Sequence, residues 1–360
     1  MKKVYFVIPY PPHFSPSQRF RFEQYFTLIT DRGYRFRVSS FLSRTNWRVF
    51  YEEGNIPKKV AALFAGSLRR LWDLALIPQY DYVFIHREAM PLGPPIIEWF
   101  IAKIYRKRII YDFDDAIWLT DQAIESAVKT GAKWRSKVRL ICQWAHKISC
   151  GNEYLCQYAA AFNRHIVYNP TIVDTENFHN RDLYELKKDR EMITIGWTGS
   201  HSTLKYLRLV EDVLKRIETE HANVQILIIA DQKPESNILS AFQFLKWNPA
   251  SEIEDLLKID IGIMPMPDSA WGKGKCGFKA IQYMALAIPP VVSPVGVNTR
   301  IVDHGINGYL ADDQNAWYCC IDQLLKDASL RSAMGKRGRI KITDQYSVKS
   351  NLSTFLSLFE

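Results

Sequence analysis

The sequence predicts an α/β protein built as two doubly wound, Rossmann-like domains, and three observations predict it. At 360 residues the chain is too long for one ordinary core and about right for two, since domains typically run ~100–200 residues. Short apolar runs alternate with helical patterns from end to end, the signature of a parallel sheet covered on both faces. The charge is also divided. Residues 1–180 hold 25 Lys and Arg against 16 Asp and Glu, whereas residues 181–360 hold 22 of each. All of the net charge of +9 therefore sits in the first half, and two differently tasked domains are expected, with a seam in the polar stretch 173–190.

Taken in order, residues 4–9 form the first predicted strand. A helical stretch follows near 20–31, stopped by Gly33, and residues 34–40 return as a strand. Strands are expected at 82–86, 108–112, 147–151 and 166–168, with helices near 95–105 and 153–162 between them. The cycle then restarts. Residues 192–197, 224–230, 261–264 and 290–293 read as strands, with helices at 204–218, 253–257 and 278–286 and a long helical stretch from Trp317.

Composition narrows the class. Apolar residues make up 47% and charged residues 24%, as in a folded globular protein, so disorder and fibre are excluded. No apolar run approaches the ~18 residues of a spanning helix. Pro9, Pro11 and Pro12 cut the opening run, which reads as a buried strand and not a signal peptide. The six cysteines show no paired Cys or Cys/His spacing, so neither a disulfide framework nor a zinc site is expected, and a reducing cytoplasm is.

In open α/β sheets ligands bind beyond the C-terminal ends of strands, so the loops there are the candidates. The loop 9–21 is stiffened by prolines and offers Ser17, Arg19 and Arg21 to an anionic or hydroxyl-rich ligand, or is a rigid turn running into a basic helix. Residues 111–118 place Asp112, Asp114 and Asp115 within four positions. Their repulsion must be offset by a metal, by an arginine such as Arg87 or by substrate hydroxyls, unless they cap the next helix. No further carboxylate or histidine completes a metal cage, so no metal is expected. Residues 195–206 give a strand, the small-residue turn Gly199-Ser200-His201 and a helix start, the arrangement that aims N–H groups at phosphate. The strongest is 268–285. Gly272, Gly274 and Gly277 admit close approach, while Lys273, Lys275 and Lys279 crowd positive charge beside a helix start, which is costly unless an anion sits there.

The stretch FKAIQYMALAIPPVVSPVGVNTRIVDHGINGYL, from Phe278 to Leu310, resembles the donor-site signature of the retaining family-4 (group 1) glycosyltransferases of GT-B fold. Gly199–Lys205 is similar to that family's Gly-Arg-x4-Lys loop, and Tyr168–Phe178 to its interdomain segment ending VDxxxF. The match runs through the second half in order; in the first half it is architectural. It implies two domains facing across a cleft. Residues 1–172 would bind acceptor, 173–345 would bind nucleotide sugar, and a helix within 346–360 would pack back on the first domain. Carried over, Lys205 matches the lysine on the donor diphosphate, and Gln282 stands where the second glutamate of E-x7-E holds the ribose. Gly274 stands at the first glutamate and Ser200 at the family's arginine. The amide of Gln282 can still bond a ribose hydroxyl, and Lys273, Lys275 or Lys279 can supply the charge absent at Ser200. Gly199, His201, Gly277 and Phe278 complete the expected nucleotide site. Asp114 or Asp115 falls where the family places an acceptor- or sugar-contacting residue.

The implied reaction is transfer of a hexosyl or related sugar from a nucleotide-diphosphate donor to a hydroxyl of a glycan or lipid-linked glycan in cell-surface polysaccharide synthesis. It would proceed with retention, without metal or cofactor, with Lys205 and Lys275 holding the leaving diphosphate. The departures at Gly274 and Gln282 leave open a non-catalytic GT-B subunit that binds nucleotide or partners another transferase. A nicotinamide oxidoreductase is disfavoured because no G-x-G-x-x-G follows a first strand. A nucleic-acid binder is disfavoured because the basic residues are interleaved with core. Two basic amphipathic stretches, 57–75 and 128–147, point to peripheral, salt-released association of an otherwise cytoplasmic protein with an anionic membrane surface.

Overall fold

Parallel strands buried on both faces are largely apolar, and the short Val/Ile/Phe runs of this chain fit that demand. In the computed structural model, which describes residues 1–51, 54–119, 134–185, 191–234 and 242–360, they form two sheets in two units. The first unit comprises Met1–Thr171, Gly274–Cys276 and Asn351–Glu360; the second comprises Ile172–Lys273 and Gly277–Ser350.

The first sheet contains β1 (Lys3–Ile8), β2 (Arg35–Ser40), β3 (Tyr82–His86), β4 (Arg108–Phe113), β5 (Lys147–Cys150) and β6 (Ile166–Tyr168) in the order β2-β1-β3-β4-β5-β6. The second contains β7 (Ile193–Gly199), β8 (Val224–Ala230), β9 (Gln243–Lys246), β10 (Ile261–Met264), β11 (Pro290–Val292) and β12 (Tyr309–Leu310) in the order β12-β11-β10-β7-β8-β9. All pairings are parallel. The strand order reverses beside β1 and β3 in the first sheet and beside β7 and β10 in the second. Such switch points splay the following loops apart and open a crevice at the strand ends. The loops after β1 and β3 carry Ser17 and Arg87; those after β7 and β10 carry Gly199–Lys205 and the lysine-rich segment.

Each sheet packs its own core. In the first unit Phe6, Phe22 and Phe84 meet with ring centroids 5.0–5.7 Å apart, and Tyr25 stacks on Phe355 at 4.2 Å. In the second, Ile195, Trp197, Ile228, Ile263 and Ile321 are buried together.

Several elements differ from expectation. The helix expected over 20–31 is a short helix Pro16–Arg19, a 3-10 turn Glu23–Tyr25 and a helix Phe26–Asp31. That for 95–105 is a four-residue α-helix, Ile96–Trp99, continued by a π-helical turn, Phe100–Ile104. That for 204–218 begins at His201 and passes through a 3-10 stretch, Lys205–Val210, before Glu211–Glu220. The edge strands β9 and β12 were not expected, being too short and too polar at their ends to show a period.

Candidate functional site

At the switch point of the first sheet, buried charges pair with one another. Arg21, proposed from sequence as an acceptor contact, is fully buried. Its guanidinium bonds Asp112 Oδ1 and the Asn169 carbonyl and donates to Ser149 Oγ at 3.1 Å. This corrects the sequence reading: the charge is spent on the core of the unit and is not presented to a ligand. Asp112 also accepts from Ser149 Oγ at 2.6 Å and lies 2.7 Å from His86 Nδ1. Burial alone would raise the Asp112 carboxyl, but Arg21 and His86 override it and hold the acid far below the usual carboxylate range. His86 Nε2 lies 3.3 Å from Ser17 Oγ, which is half-buried and 2.9 Å from Ser15 Oγ. Ser17, His86 and Asp112 thus form one hydrogen-bonded line. Arg19, the remaining candidate on this loop, lies over the Phe20 ring at 4.8 Å.

Beside that line, Arg87 offsets the repulsion among the aspartates. It donates to Asp114 Oδ1 at 2.8–2.9 Å and to Asp115 Oδ2 at 2.8 Å. A positive φ of 60° at Arg87 turns the chain at the end of β3 and brings the fork back over β4. Asp115 also takes Lys275 Nζ at 2.8 Å. Burial opposes ionisation of Asp115, but Lys275 and then Arg87 outweigh it and lower its pKa. Lys275, expected on a donor diphosphate, is thus paired with an aspartate of the first unit. It belongs to the first unit with Gly274 and Cys276 and is held by Asp115, by Asn152 Nδ2 donating to its carbonyl at 2.9 Å, and by the neighbouring buried Cys276. Among the described residues no group of three or more His, Cys, Asp and Glu is placed to hold a metal ion.

The second unit is built differently. Strand β7 ends at Gly199, where a Cβ would stand 2.6 Å from the Trp197 ring and 2.8 Å from Lys279 Cε, so only glycine lets strand, indole and lysine close together. Lys279 Nζ lies over the Trp197 ring at 5.2 Å, and Lys205 Nζ over the Tyr206 ring at 5.4 Å. Ser200 and His201 are exposed between them. Asp231, directly after β8, fixes this turn. It accepts from His201 N at 2.6 Å and contacts His201 Nδ1 at 2.6 Å. Sequence reading passed over Asp231, although its place just past a strand's C-terminal end was a usable signal.

The helix Phe278–Ala285 starts from Gly277, whose φ of 66° favours glycine and whose Cβ would meet Ile301 Cδ1 at 2.2 Å. Phe278 and Lys279, on its first turn, are half-buried. Lys273 is exposed and pairs with Asp268 at 3.1 Å. Gln282 is turned into the core. It is 4% exposed, and its amide nitrogen lies 3.3 Å from Glu252 Oε1 and 3.4 Å from His179 Nε2. The expected ribose contact is thereby corrected to a structural one, because the helical period carries position 282 to the inner face. Arg339 braces the same region, donating to the His179 and Ala285 carbonyls.

The second unit thus sets Lys279 beside Gly199 and the Ser200–His201 turn, with Lys205 one helical turn further along the chain. Residues 192–327 match the family described as Glycosyl transferases group 1. An N-acetyl-alpha-D-glucosaminyl L-malate synthase of Bacillus anthracis is 24% identical over 206 residues, an alignment covering 54% of this chain and 52% of that enzyme. The chain thus matches about half the length of that curated relative. A sucrose-phosphate synthase of Thermosynechococcus elongatus superposes with a TM-score of 0.69 at 12% identity, over 100% of this chain and 98% of that one. A glycosyltransferase of Rickettsia africae gives 0.70 at 14% identity over 99% and 97%. Anabaena HepE in complex with UDP and glucose gives 0.64 at 14% over 100% of both chains. These likenesses identify the fold as GT-B.

Proposed function

We propose that this chain, which belongs to the group 1 glycosyltransferases through residues 192–327, moves a sugar from a nucleotide-diphosphate donor to a hydroxyl of an acceptor glycan. The observation that carries the proposal is the end of β7. Lys279 lies beside Gly199 at the switch point of the second sheet, and the exposed Ser200–His201 turn leads from there to Lys205. Glycosyl transfer needs a stabilised leaving diphosphate. Two ammonium groups with a helix-opening turn supply fixed positive charge where negative charge grows as the anomeric bond breaks. Lys279 takes the part that the sequence offered jointly to Lys273, Lys275 and Lys279. In this reading the reaction needs no metal or cofactor, and the anomeric configuration is retained, with the leaving phosphate taking the acceptor proton.

The acceptor falls to the first unit, where Ser17 is the accessible end of the Ser17–His86–Asp112 line. Asp112 faces Nδ1 of His86 and the Ser17 hydroxyl faces its Nε2, so the line would hold the Ser17 hydroxyl in place for an incoming acceptor hydroxyl. Arg87, Asp114 and Asp115 form the neighbouring wall. A glycan or lipid-linked glycan of cell-surface polysaccharide synthesis, reached from the cytoplasmic face of a membrane, is the proposed acceptor class. Anabaena HepE, which shares the fold and was solved with UDP and glucose, makes a uridine nucleotide the first donor to test.

Thermal shift against the common nucleoside diphosphates, followed by transfer assays with the sugar of the stabilising nucleotide, tests the reading. Stabilisation by one nucleotide and formation of a product with the donor's anomeric configuration is the expected result. Nucleotide binding with no transfer to any offered acceptor hands the chain to the non-catalytic alternative, which the side-chain-less Gly274 favours.

A further inference from the structure

The helix Ile56–Leu76 of the first unit is inside out. Ile56, Val60, Phe64, Leu68, Leu71 and Trp72 are each at least 50% exposed, and their spacing puts them on one stripe of a helix about 30 Å long. The polar side chains point the other way. Arg70 is fully buried, donating to the Ala89 carbonyl at 2.8 Å, the Ile8 carbonyl at 2.7 Å and Asp73 at 2.7 Å. Asp73 in turn accepts from Tyr5 Oη at 2.7 Å and Ser39 Oγ at 2.8 Å. Gly66 packs its backbone on the Phe41 ring. This network locks the helix about its axis, so the apolar stripe cannot roll inward. A soluble helix normally shows the opposite arrangement.

We propose that this stripe inserts into the headgroup–acyl boundary of an anionic lipid bilayer. The helix holds no exposed acid, since its one carboxylate, Asp73, is buried, and Lys58 and Lys59 stand at its N-terminal end. No described helix is long and apolar enough to cross a membrane, so this one lies in the interface plane. The neighbouring short helix adds exposed Ile96 and Trp99, which with exposed Trp134 wall an apolar hollow of about 230 Å³. A second copy of the chain fits the stripe less well. A self-complementary contact sets like patches together, and residues 1–180 carry the whole net charge of +9. An anionic surface matches both the apolar stripe and the charge.

The sequence pointed to salt-released docking through two basic amphipathic stretches, and the proposal shifts the weight from their charges to the apolar face of one. In residues 57–75 Arg70 is buried and Arg69 donates to the Ser40 carbonyl at 2.8 Å. In residues 128–147, Lys137 is buried on Glu88 at 2.7 Å, and Lys129 and Lys133 lie outside the described residues. Apolar insertion is proposed as the main attraction, with Lys58, Lys59 and the exposed Arg139 orienting it.

The inference rests only on the membrane-side part of the proposed function, and nucleotide binding measured in parallel keeps a failure of one distinct from a failure of the other. The full chain is sedimented with phosphatidylcholine vesicles, with and without phosphatidylglycerol, at low and high salt. Tryptophan quenching by brominated acyl chains is recorded alongside. Expected are pelleting with the anionic vesicles, retention of most of it at high salt, and quenching. Phe64→Glu with Leu68→Glu should lower partitioning about tenfold or more while the melting curve is unchanged, because both side chains are exposed. Phe64→Ser with Leu68→Ser, which adds no charge, should lower it in the same direction. No pelleting overturns the proposal, as does complete release by salt without quenching. A concentration-dependent dimer abolished by the same substitutions, without vesicle binding, also overturns it and gives the stripe to a second copy.

Discussion

The two switch points share a topology and surround their cations differently. In the first unit Arg21, Arg87 and Lys275 are neutralised by Asp112, Asp114 and Asp115 at hydrogen-bond distance, several of them buried. In the second, Lys205 and Lys279 lie against aromatic faces beside a glycine turn. A cation over a ring gains from the ring's negative face, whereas one bound to a carboxylate is offset by a full opposite charge. Proximity of lysines to a strand end therefore does not by itself identify a phosphate site.

The first unit's network is where the largest effect is expected. Asp112→Ala leaves Arg21 buried without a counter-charge and should cost ~3–5 kcal/mol in denaturant unfolding. Adding Arg21→Met should restore a large part of the loss. The network also sets a pH dependence. Asp112 and Asp115 are both held below their unfolded values, so their stabilisation is complete above the ordinary carboxylate range and is lost as pH falls through their folded pKa values. Acid unfolding of the parent should accordingly begin only well below about pH 4, and stability should change less with acid in Asp112→Asn. A parent that loses stability between pH 7 and 5 would show that other groups dominate.

The lysines sharpen the comparison directly. Lys205→Ala and Lys279→Ala should each weaken binding of the stabilising nucleoside diphosphate by ~1.5–3 kcal/mol in calorimetry, the size of a charge-assisted contact. Lys275→Ala should leave that binding unchanged and instead lower the melting temperature, because it strips Asp115 of a partner. A loss of affinity at Lys275 as large as at Lys279 would erase the distinction between the two regions.

Gln282 tests the same boundary from inside the second unit. Read from sequence as a ribose contact, it invites Gln282→Glu as a neutral or improving change. In the fold that carboxylate would stand about 3.3 Å from Glu252 in a buried site. Like charges at that distance cannot both ionise, so a cost of ~1–3 kcal/mol in stability is expected. Equal stability with tighter nucleotide binding would return Gln282 to the site.

Much of the fold was legible because β/α alternation is a local signal, and the interior strands β1, β3, β4, β7, β8 and β10 are mostly apolar. The glycine turn at Gly199 and the charge crowding near 273–279 were legible for the same reason. Illegible were the pairings that fold distant residues together. Arg21 with Asp112, Lys275 with Asp115 and Gln282 with Glu252 are 91, 160 and 30 positions apart, and nothing in a spacing announces them. The orientation of the helix Ile56–Leu76 was hidden likewise. Its period shows two faces, but only the burial of Arg70 says which is inward.

The smallest expected effect is at Lys273, which sequence placed in the anion site beside Lys275 and Lys279. Its ammonium is about half-exposed and paired with an exposed Asp268. Such a pair contributes ~0–1 kcal/mol because water and salt screen it. Lys273→Ala should therefore leave both stability and nucleotide affinity within ~0.5 kcal/mol of the parent. A third outcome is also informative. Were Lys273→Ala to weaken binding at low salt and lose that effect at 0.5 M salt, the residue would act as long-range steering. The signature would be a slower association rate with an unchanged dissociation rate in stopped-flow mixing, since charge beyond contact distance changes encounter and not the bound state. Lys279→Ala, by contrast, should keep its effect at high salt and express it in dissociation, as a contact made only in the complex must.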